Sequence, residues 1–321
     1  MRYLLIEGII RNKEIFSIYE PYPVGRHIRG AFGWIAKDMG LGIKELFPDL
    51  NNDILIFRDG IPICRKERWR PFSGKKTLYL PFIDGGRIKY RCSSCGDFFS
   101  QGFHRTEISR IQLDRKKGSV NSFRRIEAFH REAIFRLSII LDIERGERFV
   151  EDLFSMMSFV KEFGINIGKR HQKGMGHFIL EEFDAKIMED IEIGEKDEFT
   201  INFISDAYIR NGDGFLDLKI KTDKIIGMME RLGNRFKIDF RGEIEEISKT
   251  LIEPRNITMI QVIEDENRFI RIPLNVLSRG ISIRFKRRGN SRNILKLLKA
   301  IELFYGLGDY IGLGLGEIYV N

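Results

Sequence analysis

The chain reads as an α+β protein of two ferredoxin-like units in tandem, the first enlarged by a long insertion. Three observations point there. Segments Gly168 to Gly176 and Gly308 to Gly316 share the spacing G-x5-G-x-G, each after a stretch of helical period and each before a short apolar run, Phe178 to Leu180 and Ile318 to Val320. Apolar residues in the second half follow the order strand, helix, strands, helix, strand, the split βαβ pattern. The first half repeats that order around a stretch rich in Gly, Arg, Lys and aromatics.

In the first unit, Tyr3 to Ile10 is an apolar strand, and Ile28 to Met39 a helix with Phe32, Ile35 and Ala36 on one face. Ile134 to Ile143 is a strand, and Phe149 to Phe163 a helix bearing Leu153, Phe154, Met157 and Val160. Residues 41–125 form the insertion. A polar, acidic stretch from Asp184 to Lys196 predicts a short linker, giving domains 1–183 and 197–321.

In the second unit, Glu198 to Ile209 alternates as a strand. Thr222-Asp223 offers an N-cap to a helix with Ile225, Ile226, Met229 and Leu232, stopped by Gly233. Ile257 to Ile263 and Arg268 to Ile272 read as a hairpin, and Ile281 to Phe285 alternates again. Ser291 can cap a helix carrying Ile294, Leu297, Leu298, Ile301 and Leu303, and the second glycine loop leads into the last strand.

The bulk numbers narrow the function classes. With 321 residues, 43% hydrophobic, the chain can bury two cores. Its net charge of +8 and pI of about 9.3 favour a polyanionic partner without defining a site. The sequence holds no apolar run of membrane-spanning length, and the apolar run at its start is too short for a signal peptide. Three cysteines make no disulfide framework, so a reducing cytoplasmic setting is the expectation.

The glycine loops are not nucleotide cradles, because a phosphate-binding glycine motif follows a strand and opens a helix, and these do the reverse. Glycine here admits close backbone approach or a tight turn. The second loop, with Asp309 and apolar spacers, fits packing. The first carries Lys169, Arg170, His171 and Lys173 between Gly168, Gly174 and Gly176, a set suited to a nucleic-acid backbone. Arg26, His27 and Arg29, in Gly25 to Gly33, stand where a helix N-terminus would add its dipole to phosphate binding. His27 could also be a general base or acid on a ribose 2′-hydroxyl, or simply a packed residue.

Cys92-Ser93-Ser94-Cys95 is the C-x2-C knuckle of a zinc site, which Cys64 and His104 would complete as a structural Cys3His centre. The alternative is that Cys64 is only a buried strand residue. His104 to Phe129 interleaves basic residues with turn formers, including Arg115, Lys116 and Lys117, as a protruding hairpin laid on nucleic acid would, or a solvated loop. Asp114 is a further carboxylate for metal binding or cleavage, with no partner acid beside it in sequence.

Four segments together resemble the CRISPR-associated RAMP superfamily: Gly25 to Phe32, Ile111 to Gly118, Gly168 to Gly176 and Gly306 to Gly316. The resemblance spans nearly the whole chain and implies RNA-recognition-motif-like folds and binding of CRISPR guide RNA. It implies a non-catalytic subunit of a type III-like effector ribonucleoprotein, assembled with other effector subunits, that grips the guide backbone or its 5′ handle and approaches target nucleic acid. Two other branches stay open: a metal-independent repeat-processing endoribonuclease using His27, and a zinc-containing RNA-binding protein outside CRISPR.

Overall fold

The computed structural model describes residues 2–16, 20–47, 53–99, 105–114, 119–129, 132–168, 175–189, 191, 196–209, 222–239, 241–250, 252–263 and 268–321. Strand β1 (Tyr3–Asn12) lies central in a five-stranded antiparallel sheet ordered β2-β7-β1-β9-β8, where β2 is Leu55–Phe57, β7 Ile134–Asp142, β8 Ile165–Asn166 and β9 His177–Met188. Helix α1 (Gly25–Asp38) and the later helix Val150–Phe163 pack on one face of it.

The second sheet has the order β11-β14-β10-β15, with β10 Glu198–Phe203, β11 Arg241–Thr250, β14 Ser282–Arg292 and β15 Ile318–Val320. Helices Thr222–Arg235 and Ile294–Phe304 serve it. In both sheets the first strand of the unit lies between the third and the fourth, and the second strand pairs with the third.

The near-continuous apolar run of β1 now has a cause. Leu4, Ile6 and Ile10 face the helices of the first core, while Tyr3 and Leu5 belong to the second core. Leu55 and Phe57 likewise face one way and Ile56 the other. The second unit therefore covers the face of the first sheet that its own helices leave open. Tyr3 stacks on Phe304 at 4.6 Å with the rings 9° apart. Each such side chain taken fully from water contributes about 1.5–3 kcal/mol.

Three sequence expectations are corrected. The second strand of the first unit, Leu55–Phe57, lies inside the span assigned to the insertion. The hairpin Arg255–Ile263 (β12) with Arg268–Val276 (β13) stands as its own two-stranded sheet, and the in-sheet strand is β11, whose charged edge sequence hid its period. Asp184–Met188, expected in the linker, continues β9 against β1. Smaller shifts follow: Ser291 lies in β14, and Asn293, at φ 64°, precedes the last helix. The insertion contributes β3 (Tyr79–Asp84), β4 (Arg87–Cys92) and the hairpin β5 (Arg105–Asp114) with β6 (Ser119–Phe129). Its Trp69, Leu78, Tyr79 and Tyr90 join the first core.

Candidate nucleic-acid interface and cysteine cluster

The second glycine loop is a packing device. Gly314, at φ 82°, sits against Gly25 so closely that a Cβ on it would lie 2.7 Å from the Phe57 oxygen and 2.8 Å from the Gly25 Cα. A Cβ on Gly25 would fall 2.0 Å from that same oxygen. The loop thus clamps the second unit onto the first turn of α1. The first loop is pinched at its base, where Ile167 N–H donates to the Gly176 carbonyl at 2.8 Å and Gly176 N–H donates to Ile15 at 3.1 Å. Gly168 and Gly176 both take positive φ, at 98° and 82°. Lys169, Arg170, His171, Lys173 and Gly174 lie outside the described residues, as do Arg115, Lys116, Lys117 and His104. Asp114 ends β5 opposite Ser119.

The cations at the start of α1 do not stand as a simple phosphate clamp. The first N–H of the helix, on Gly25, donates to Asp59 Oδ1 at 2.8 Å, so a protein carboxylate occupies the place expected for phosphate. Arg26 pairs with the buried Glu20, which neutralises it within the protein. The Arg29 guanidinium lies 5.6 Å from the Phe47 ring centre, and His27 is half-buried beside it.

Behind this turn runs a buried ionic seam that the sequence reading did not single out. Arg136 donates to both Glu317 oxygens at 2.7 and 2.9 Å, and Lys75 and Arg58 approach Oε1 at 3.1 and 3.3 Å. Arg279 donates to Asp206 at 2.6 Å and reaches Glu20 at 3.4 Å, which also accepts from Arg255 at 2.6 Å. All of these except Arg279–Asp206 cross between the units. Burial would raise the Glu317 and Glu20 carboxyls, but Arg136 with Lys75 and Arg58, and Arg279 with Arg26 and Arg255, hold each down to about 2. Asp59, with desolvation dominant, is pushed up to about 7, and Lys75 is lowered by burial to about 8.

The cysteines do converge. The thiol sulfurs of Cys64, Cys92 and Cys95 all lie within 4.8 Å of one another, with Cys64 and Cys95 3.6 Å apart. Cys92 N–H donates to the Asp97 carbonyl at 2.8 Å and Gly96 N–H to Cys92 at 3.0 Å, a turn completed by Gly96 at φ 75°. Burial pushes the Cys92 thiol up to about 11, while backbone N–H donation from Asp97 lowers that of exposed Cys95. Tetrahedral zinc with Zn–S of 2.3 Å needs sulfurs about 3.8 Å apart, and this cluster is close to that spacing.

Neither a family model nor a curated protein matches the chain. Solved structures do. A RAMP protein described as binding different RNA substrates shares 12% identity over 99% of both chains, with a TM-score of 0.44. Cas6 of Thermus thermophilus shares 10% over 99% of this chain and 98% of that one, with a TM-score of 0.43. A chain of a type III-B Cmr-beta complex bound to cognate target RNA shares 13% over 57% of this chain and 61% of that one, at 0.35.

Of the sequence-nominated residues, the structure brings the three cysteines together and sets Gly25 against the second glycine loop. It pairs Arg26, partly buried, with the buried carboxylate of Glu20. Glu317 had one legible signal, a lone acid between Gly316 and an apolar strand. Arg136, a lone cation inside the apolar run Ile134 to Ile143, had the same. Among the described residues no helix is long and apolar enough to cross a membrane.

Proposed function

We propose that this chain is an RNA-binding subunit of a CRISPR ribonucleoprotein of the RAMP type, built from tandem ferredoxin-like domains, the first running to the end of β9 at Met188 and the second spanning 197–321. It grips guide RNA through the backbone or the 5′ handle and does not cut it. The observation that carries this reading is the unequal use of one loop position. The second loop is closed into the body against Gly25, whereas the first, between Ile167 and Gly176 whose backbones pair, carries Lys169, Arg170, His171 and Lys173 in its sequence. The hairpin β5–β6 pairs over ten residues, and its connecting sequence supplies three further cations, Arg115, Lys116 and Lys117.

The cysteine cluster fits structural zinc, with Cys64, Cys92 and Cys95 as thiolates and His104, one residue before β5, as the fourth donor. Bound zinc would tie the β3–β4 hairpin to the base of β5.

Filter binding and gel analysis of labelled CRISPR repeat RNA in magnesium-free buffer test the reading. Tight, salt-sensitive binding with the RNA left intact is expected. A single site-specific cut abolished by His27→Ala would overturn it in favour of the repeat-processing endoribonuclease. Equal affinity for scrambled RNA, with no protein partner on co-expression, would favour an RNA-binding protein outside CRISPR.

A further inference from the structure

The small sheet β3–β4 turns one face to the core; the other is buried at Leu80, opposite Arg91, and open to solvent at Lys89, Arg91 and Phe98. Tyr79, Tyr90 and Cys92 point inward and are buried. Phe82 and Lys89 are cross-strand partners, Arg91 is two residues from Lys89, and Phe98 forms a single antiparallel bridge to Arg91. Residues directly opposite share a face, so Phe82, Lys89, Arg91 and Phe98 all lie on the outer one. The Phe82 and Phe98 rings are 6.0 Å apart and tilted by 53°, and the Arg91 guanidinium lies 5.1 Å from the Phe82 ring centre. Phe98 remains 57% exposed. Arg91 has no carboxylate partner among the described residues, while Lys89 pairs with Asp84.

The backbone on either side of Phe98 is hydrogen-bonded to β4. Phe99 N–H donates to Tyr90 at 3.0 Å and Cys92 N–H to Asp97 at 2.8 Å, so Phe98 is locked beside β4 just past the cysteine turn. Behind it, Gly280 of the second unit sits 3.2 Å, by its built Cβ, from the Phe82 backbone.

We propose that this outer face is a base-stacking platform for single-stranded RNA, with Phe98 the ring that a base covers and Arg91 the cation that holds the adjoining phosphate. The inference rests on the RNA-binding reading above and adds a further contact surface, far in sequence from the cationic loop. An exposed ring beside a second aromatic and a guanidinium complements both halves of a nucleotide, its π-face and its charge. An acidic protein segment would use the cation and leave the ring unexplained.

The test uses the full chain with two labelled probes of equal length: a uridine 20-mer and a ribose-phosphate 20-mer without bases. Phe98→Ala is expected to weaken binding of the uridine RNA roughly tenfold, to leave binding of the base-free oligomer unchanged, and to keep the salt slope of the parent. Phe98→Trp should restore the affinity. Because Phe98 is exposed, both variants should melt within a few degrees of the parent. Equal losses on both probes, or no loss on either, would overturn the stacking role while leaving RNA binding standing. A parent chain that binds neither probe would overturn the RNA reading and this one with it. A Phe98→Ala chain that binds both probes normally but loses a co-expressed protein partner would reassign the face to protein docking.

Discussion

Arg136 and Glu317 are where single side chains matter most. Both are almost wholly buried, and their two-point bond joins the sheet of the first unit to the last strand of the second. Removing one partner leaves the other charge stranded out of water. Glu317→Ala should therefore destabilise the chain by about 3–5 kcal/mol, read as a fall in the urea midpoint. Gly314→Ala acts by a different route. Its φ of 82° and the Phe57 oxygen 2.7 Å from a built Cβ leave the methyl group no room, so the variant should lose about 1–3 kcal/mol in the same experiment. A Glu317→Ala chain as stable as the parent would contradict the ionic seam, and a Gly314→Ala chain as stable as the parent would contradict the glycine clamp.

At the scale of elements, legibility in the sequence followed period and burial. The helices Val150–Phe163 and Thr222–Arg235 and the core strands Ile134–Asp142 and Glu198–Phe203 show their periods plainly, because one face of each is apolar. The strand Arg241–Thr250 does not, since an edge strand needs few apolar residues and this one reads as alternating charge. Leu55–Phe57 is too short to carry a period at all. The cysteine cluster was readable from the C-x2-C spacing and the nearby Cys64, whereas the ionic seam was not, because its members are far apart in sequence. Arg26 shows the limit of motif reading: the sequence displays its charge and conceals Glu20 beside it. Metal analysis tests the cysteine element. The parent should bind about one zinc per chain and Cys92→Ser should lose it together with thermal stability. A zinc-free parent of unchanged stability would remove the metal from the account.

For the whole molecule, the seam sets a pH window. Glu20 and Glu317 titrate near 2 in the folded chain against 4.5 when free, so the unfolded chain takes up protons that the folded one refuses as pH falls through that interval. Stability should decline from about pH 4.5 downward. Asp59 has the opposite sign. Its folded value of about 7 lies above the free 3.8, so it withdraws stability as pH rises across that range. The urea midpoint should therefore peak in mildly acidic solution, and Asp59→Asn should flatten its fall toward neutrality. A midpoint that keeps rising from pH 5 to 7 would contradict this placement of Asp59.

The central claim is that one loop position, duplicated in the chain, packs the two units together in one copy and holds RNA in the other. Titrating labelled repeat RNA with the parent and with the triple variant Lys169→Ala, Arg170→Ala, Lys173→Ala, at several salt concentrations in magnesium-free buffer, tests it most directly. The account predicts intact RNA, a parent affinity that falls steeply with salt, and a variant whose log-log salt slope is shallower by about 2–3. An unchanged slope and affinity in the variant, or cleaved RNA with the parent, would contradict it.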